Sequence, residues 1–309
     1  MRDDAMRRLL EQAEAADTTQ LLLAQGTKVL ATIGDGGRPI STMSVTKLVV
    51  GLIIGRAVRL GLLDLDRPVR TWFPEWREGL KAKITVRHVM GHVSGLAADT
   101  WPQLNAAPPD DYVAYVIKEH PLAAEPGTVQ AYNNAAVSVL PAIITRAAGK
   151  PFLDFAATEL FRPLGIEDWT WGTDAAGNPF GMASAAFTAA DLATLGELMI
   201  DNGRGGDRLL PAGWVDACRR PPIPGARAGL LLLQRWPHQD PDRTGDPFAY
   251  GHDGSEGQYL YAYPRSGLVV ARLRDCGLSE GRFDPSTPEQ VFQELPWLGA
   301  EVDAALAAD

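Results

Sequence analysis

Apolar residues recur at two different spacings along the chain, and these spacings separate strands at both ends from helices between them. Two short apolar runs at 20–25 and 28–33 are joined by a Gly-Thr pair, a pattern that predicts a β-hairpin. A similar pair of runs lies at 257–263 and 267–273. Strands joined by tight turns form antiparallel sheets. We therefore expect the N-terminal hairpin to pair with the C-terminal strands.

The rest of the chain has mostly helical spacing of its apolar residues. The predicted helices are 2–16, 44–60, 111–118, 133–148, 152–161, 189–202 and 288–307. The second of these is apolar on most sides, as expected for a helix in the protein interior. A run of leucines predicts one more strand at 229–236, followed by a Pro- and Asp-rich loop at 237–247.

These elements predict an α/β (α+β) fold with an antiparallel sheet flanked by helices. Residues 1–64 and 221–309 would form a discontinuous sheet domain, and residues 65–220 a mostly helical inserted domain. A chain of 309 residues is long enough to bury a sizeable core.

Composition and charge narrow the class of protein. Apolar residues make up 46% and the net charge is −9, without a cluster of basic residues. This argues against nucleic acid or an anionic membrane as a partner.

The N-terminus is too charged for a secretory leader, and the apolar run 48–55 is shorter than the ~20 residues of a membrane span. We expect a cytoplasmic protein with Cys218 and Cys276 reduced; the sequence is silent on oligomeric state.

The first candidate for chemistry is the pair Ser44 and Lys47 at the start of the apolar helix. A spacing of three places both side chains on one face of a helix. A lysine in an apolar site has a lowered pKa and can take the proton of a serine nucleophile. A serine at a helix start can also simply cap the helix.

Two further groups contain polar residues beside turns. Tyr132 and Asn134 precede a helix, where a phenol can transfer protons if cations lower its pKa, and an amide can bind substrate. Before the last hairpin, the run 251–255 is rich in glycine, so its backbone can approach a ligand closely. Each group taken alone is also typical of core packing or a turn.

Taken together, the order Ser44-x-x-Lys47, Tyr132-x-Asn134 and His252-Asp253-Gly254 resembles the serine β-lactamase and penicillin-binding protein superfamily. Tyr-x-Asn at the second position is similar to the class C β-lactamase branch, which includes esterases, D-aminopeptidases and 6-aminohexanoate-dimer hydrolases. Four other segments also resemble this family: 62–69, 84–96, 161–166 and 190–193. The resemblance covers about residues 20–275.

The resemblance implies a β-lactamase/transpeptidase-like fold and a serine hydrolase that cleaves an ester or amide through a Ser44 acyl-enzyme. It implies that Lys47 and Tyr132 share the proton transfers and that Asn134 supports Lys47 and the substrate. The backbone N–H groups of Ser44 and Ser255 would form the oxyanion hole. No metal or organic cofactor is implied, and the partner is a small-molecule ester or amide.

The third motif departs from the family pattern, and this affects the expected substrate. The family's usual Lys-Thr-Gly is replaced by His252-Asp253-Gly254. Histidine is largely neutral at pH 7, and Asp253 adds a negative charge. We therefore expect uncharged or amine-bearing esters and amides to be preferred, and β-lactams to be poor substrates.

Other functions remain open from the sequence. A protein with this fold could bind acyl compounds without turnover, serve a structural role, or transfer the acyl group to an alcohol or amine. His88 and His92 are four residues apart on a predicted helix and could face one metal ion. However, the carboxylate of an H-E-x-x-H motif is absent, so we expect packing or hydrogen-bonding roles for both histidines.

Overall fold

The computed structural model describes residues 2–98, 109–203, 208–237, 245–275, 277 and 289–308. The strands are β1 (Gln20–Gln25), β2 (Lys28–Ile33), β3 (Ile40–Ser41), β4 (Thr170–Trp171), β5 (Ala185–Phe187), β6 (Leu233–Arg235), β7 (Ala249–Gly254), β8 (Gln258–Tyr263) and β9 (Leu268–Leu273). The helices are α1 (Arg2–Ala15), α2 (Val45–Arg59), α3 (Val86–Met90), α4 (Tyr112–Lys118), α5 (Asn134–Val137), α6 (Leu140–Ala148), α7 (Phe152–Ala156), α8 (Ala189–Gly203), α9 (Trp214–Arg219) and α10 (Glu289–Leu306).

The main sheet has the strand order β2-β1-β9-β8-β7-β6, and its paired strands are antiparallel. The two ends of the chain meet in it, because Gln20 of β1 lies opposite Leu273 of β9. The predicted antiparallel sheet flanked by helices is confirmed. The N-terminal hairpin has the bounds that the apolar runs predicted.

Helices cover both faces of this sheet. On one face, α8 contacts β1, β8 and β9, and α2 contacts β7 and β8. On the other face, α10 contacts β7 and β8, and α1 packs against α10. Alternate residues of a strand point to opposite faces. All of β8 and β9 is therefore buried, and both strands have almost continuous apolar sequences.

A second sheet, of order β3-β5-β4, fixes the start of α2. The backbone N–H of Thr42 donates to the Ala185 carbonyl oxygen at 2.8 Å. The Ala185 N–H donates in turn to the Thr46 hydroxyl at 3.1 Å. These hydrogen bonds tie the chain before α2, and the first turn of α2, to β5.

Two predicted elements differ from the structure. The helix predicted at 133–148 is two helices, α5 and α6, because Pro141 has no N–H to continue the first one. The strand predicted at 229–236 is shortened to β6. Leu231 has a left-handed φ of 53° and its N–H donates to the Met90 carbonyl at 2.9 Å, so the leucine run turns into the core instead of pairing with the sheet.

The division into a sheet domain and an inserted helical domain stays a prediction. One apolar core runs through both parts of the chain, from Ile40 to Leu273.

Among the described residues, none of the helices is both long and apolar enough to cross a membrane. The expected cellular location also stays a prediction. Cys218 is a buried free thiol, whereas Cys276 and residues 238–244 of the predicted loop lie outside the described residues.

Candidate active site

Ser44 and Lys47 meet at the N-terminus of α2. The Lys47 Nζ lies 3.0 Å from the Ser44 Oγ, which is hydrogen-bonding distance. Ser44 occupies the N-cap position, yet its side chain makes no capping hydrogen bond. The hydroxyl is therefore directed to the amine and not used to cap the helix, which was the alternative explanation for a serine at this position.

Burial lowers the pKa of Lys47. The side chain is fully buried, and its second polar contact is a 2.6 Å hydrogen bond to the Met182 carbonyl oxygen. Removal from water penalises the charged form, so the pKa of Lys47 lies well below its ordinary value of 10.5. A neutral amine in this place can donate to Met182 and accept the Ser44 proton at the same time.

The turn before Ser44 is held in an uncommon conformation. Met43 has a φ of 49°, in the left-handed region that non-glycine residues rarely adopt. The Thr42 N–H donates to the Ala185 carbonyl, and the Thr46 hydroxyl accepts from the Ala185 N–H, so hydrogen bonds on both sides of Met43 hold the turn. Backbone strain of this kind persists only where neighbouring structure enforces it.

Tyr132 comes from the loop before α5 and lies over the same amine. The Lys47 Nζ is 4.8 Å from the centre of the Tyr132 ring. Although the residue is 46% exposed, its phenol group is crowded by protein. This desolvation raises the pKa of Tyr132 to about 12, even though a hydrogen bond with Ser44 lowers it. A pKa this high favours the protonated phenol in the resting site. The lowering of the pKa that a general-base role for Tyr132 would require is therefore not seen, and the role of Tyr132 in proton transfer stays a prediction.

The end of β7 passes close to the turn before Ser44. A Cβ atom on Gly254 would lie 2.4 Å from the Thr42 carbonyl oxygen and 2.9 Å from the Met43 Cβ. Since real Cβ atoms do not approach backbone this closely, only glycine allows the strand to lie here. The residue before Ser255 therefore packs directly against the turn that leads into Ser44.

The backbone N–H groups of Ser44 and Ser255 are the candidate oxyanion donors at this junction. Among the described residues, no turn, loop or cap hydrogen bond uses the N–H of Ser44 or Ser255. Ser44 also lies at the N-terminus of α2, where the helix dipole favours negative charge. The pair has the donor type that an oxyanion hole requires.

His252 is part of this group, but Asp253 is not. His252 is buried and its ring Nδ1 contacts the Asp253 carbonyl oxygen. Burial lowers the pKa of His252 to about 3, and the amine of Lys47, when charged, lowers it further. Asp253, the next residue on the strand, points to the opposite face of the sheet. Its carboxylate pairs with Arg235 and accepts a 2.8 Å hydrogen bond from the Tyr261 hydroxyl.

The supporting roles expected of Asp253 and Asn134 stay predictions. In the structure, the carboxylate of Asp253 is paired with the guanidinium of Arg235. The side chain of Asn134 makes no hydrogen bond to Lys47 among the contacts of the described residues; the acceptor beside Ser44 is Met182 instead. Sequence reasoning missed Met182 because it acts through its backbone, which leaves no signal in residue type.

The two histidines proposed as alternative metal ligands each bind backbone. The His88 Nδ1 accepts from the Thr85 N–H at 3.3 Å, and the His92 Nδ1 accepts from the Asn133 N–H at 3.1 Å. The sequence predicted that both histidines lie on one helix. In the structure, His92 lies beyond the end of α3, so the two rings do not share a helix face. The expected hydrogen-bonding roles are confirmed.

The site has a serine hydroxyl beside a buried amine at a helix N-terminus, next to an antiparallel sheet. This arrangement is the one expected of a serine hydrolase with a Ser-x-x-Lys motif. The Beta-lactamase family model matches residues 36–277 of this chain. The chain therefore belongs to the Beta-lactamase family, and it is a serine hydrolase of the β-lactamase/transpeptidase-like fold.

Similar proteins include esterases and amide hydrolases. Esterase EstB of Burkholderia gladioli is 32% identical over 143 residues, which cover 40% of this chain and 36% of the esterase. The 6-aminohexanoate-dimer hydrolase of Paenarthrobacter ureafaciens is 25% identical over 86% of this chain and 74% of its own. A D-stereospecific amidohydrolase from Streptomyces has the same fold, with a TM-score of 0.71 and 19% identity over 96% of this chain and 98% of its own.

Proposed function

We propose that this protein hydrolyses esters or amides of small molecules through an acyl-enzyme on Ser44. The 3.0 Å contact between the Lys47 Nζ and the Ser44 Oγ carries this proposal, because Lys47 is buried and favours the neutral amine. A serine hydroxyl is a weak nucleophile until a base takes its proton. A protein that only bound acyl compounds would not need a desolvated amine in this place.

In the acylation step, the Ser44 oxygen forms a bond to the substrate carbonyl carbon while its proton passes to Lys47. The carbonyl oxygen becomes an oxyanion, which accepts hydrogen bonds from the backbone N–H groups of Ser44 and Ser255. Lys47 is then an ammonium, and the Met182 carbonyl accepts one of its protons. The positive end of the α2 dipole stabilises the same oxyanion.

Tyr132 acts as the acid for the leaving group. With a pKa of about 12, it holds its proton until an alkoxide or amine begins to leave, and it then donates that proton. Lys47 returns a proton to the phenolate, which restores both groups. Water attacks the acyl-enzyme by the same route, its proton passes to Lys47, and Ser44 regains its hydrogen.

The third motif favours substrates without a carboxylate beside the scissile bond. His252 is neutral at ordinary pH, and the nearby guanidinium of Arg235 is paired with Asp253. The His252-Asp253-Gly254 motif therefore presents no fixed cation to a substrate. The lysine that is usual at its first position would supply one. We infer a preference for uncharged esters and amides over β-lactams.

The test uses p-nitrophenyl acetate for turnover and a fluorophosphonate probe for labelling. We expect wild-type protein to release p-nitrophenol and to be labelled at Ser44, and Ser44→Ala to lose both. Ser41→Ala removes a hydroxyl three residues earlier and is the matched control, with both activities retained. Labelling of Ser44 without turnover would instead indicate an acyl-binding protein, and ester products in the presence of added alcohol would indicate an acyltransferase.

A further inference from the structure

His92 contacts Tyr132 and the residues on both sides of it. The His92 carbonyl oxygen accepts from the Ala131 N–H at 2.9 Å, and its ring Nδ1 accepts from the Asn133 N–H at 3.1 Å. The ring centres of His92 and Tyr132 are 4.7 Å apart, with the planes tilted by 31°. One residue thus holds the backbone before Tyr132, the backbone after it and the ring itself.

The conformation and burial of His92 suit this role. Its φ of 56° is left-handed, a conformation that a residue with a side chain adopts at a cost. The side chain is buried, and this burial lowers the pKa of His92 to about 3. The ring is consequently neutral at ordinary pH, and its Nδ1 keeps the lone pair that accepts the Asn133 N–H.

Tyr132 needs such support because it is half-exposed. A tyrosine on a loop loses side-chain freedom when it is held in one rotamer. Its hydroxyl must nevertheless stay beside Ser44 while its ring lies 4.8 Å from the Lys47 Nζ. Aromatic rings at this spacing attract one another, and a stacked partner also blocks one direction of rotation.

We propose that His92 is a positioning residue that holds the Tyr132 phenol in place for proton transfer, through the contact between the two rings and through the backbone on either side. This inference rests on the proposed function, since it concerns the residue that acts as the acid there. His92 itself does not touch the reacting atoms.

The decisive variant is His92→Asn, with His88→Asn as its matched control. Asparagine retains a hydrogen-bond acceptor and tolerates a left-handed φ, so the variant removes mainly the ring. We expect kcat for an alkyl ester to fall about 10- to 100-fold, with KM nearly unchanged, as for a misplaced catalytic group, and kcat for p-nitrophenyl acetate to fall less because its leaving group needs little acid. His88 also accepts a backbone N–H through Nδ1 but has no contact with Tyr132 in the described residues. His88→Asn should therefore keep the wild-type kcat.

A double variant separates positioning from general stability. If His92 acts through the phenol, adding His92→Asn to Tyr132→Phe should cause little further loss in kcat. A repeated full loss in that background, or wild-type kcat in a folded His92→Asn protein, would overturn the inference. His92→Phe, which keeps a ring but lacks the acceptor, provides a second variant, and we expect an intermediate kcat. Failure of the proposed function would look different, because wild-type protein would then show no Ser44-dependent turnover.

Discussion

The turn carrying Ser44 and the loop carrying Tyr132 hold their groups in different ways. Residues 42–47 lie largely in the core, and hydrogen bonds to Ala185 and the close approach of Gly254 confine them. Tyr132 is 46% exposed and depends on contacts from His92. In the proposed mechanism, the nucleophile and the base thus lie at a buried helix start, whereas the acid lies on a partly exposed loop. This difference predicts that changes at the two places affect stability and catalysis in different proportions.

The largest effect should come from Lys47→Met, which keeps the side-chain volume and removes the base. We expect kcat/KM to fall about 10²- to 10⁴-fold, the range of general-base catalysis. In the wild type, the acid limb of the pH–rate profile should follow the lowered pKa of Lys47, because only the neutral amine accepts the Ser44 proton. Burial lowers the pKa values of His92 and His252 to about 3, so both rings stay neutral at ordinary pH and we expect neither to produce a limb there.

The same variant should unfold at a higher temperature than the wild type. Folding lowers the pKa of Lys47, so the unfolded chain binds an additional proton between that lowered pKa and 10.5. Wild-type stability therefore rises with pH through this window, and burial of the amine penalises folding below it. The advantage of Lys47→Met should shrink as the pH approaches 10.5. Thermal melting from pH 6 to 10 tests this, and an advantage that does not change with pH would show that Lys47 is charged in the fold.

The loop side of the comparison is tested by Tyr132→Phe. Loss of the phenol proton should lower kcat about 10²-fold, with little change in melting temperature because the half-exposed ring is retained. Substrates with good leaving groups need less help from an acid, so the loss should be smaller for p-nitrophenyl acetate than for an alkyl ester. A near-normal rate with both esters would assign all proton transfers to Lys47.

Gly254→Ala should damage both stability and activity, since it pushes β7 away from the turn before Ser44. Overpacking of this kind costs about 1–3 kcal/mol of unfolding free energy, and we expect a lower kcat as the Ser255 N–H moves. Gly51→Ala is the matched control, because its added Cβ would lie at an ordinary 3.5 Å from Leu231. Circular dichroism melting and ester turnover of both variants compare the two glycines. Equal tolerance of both would show that the close approach of β7 is unimportant.

The smallest effect is expected for His252→Lys, which tests the substrate preference. A lysine here places a cation where the family usually has one. We expect the ratio of kcat/KM for a carboxylate-bearing ester over an uncharged one to rise, with melting temperature lowered by the buried charge. An unchanged ratio would show that this position does not contact the substrate.

Particular residues show which structural elements and site residues the sequence predicts and which it does not. The hairpin of β1 and β2, the start of α2 and the Ser44–Lys47 pair follow from spacing, because they depend on neighbours a few residues away. Pro141, which ends α5, was a local signal that the continuous apolar pattern obscured. The leucine run before β6 could not be predicted, since its turn depends on a hydrogen bond to Met90, far away in the chain.

By itself, the sequence determined the sheet, the buried helix and the order of the three polar groups, since the periods of strands and helices are local properties of the chain. Only the tertiary structure decided which acceptor faces Lys47, because the Met182 carbonyl is 135 residues away and any residue type could supply it. It also decided the electrostatics of the site: burial, which no single position reveals, lowers the pKa of the Lys47 amine and raises that of the Tyr132 phenol. The alternation of side chains along β7 turns Asp253 toward Arg235.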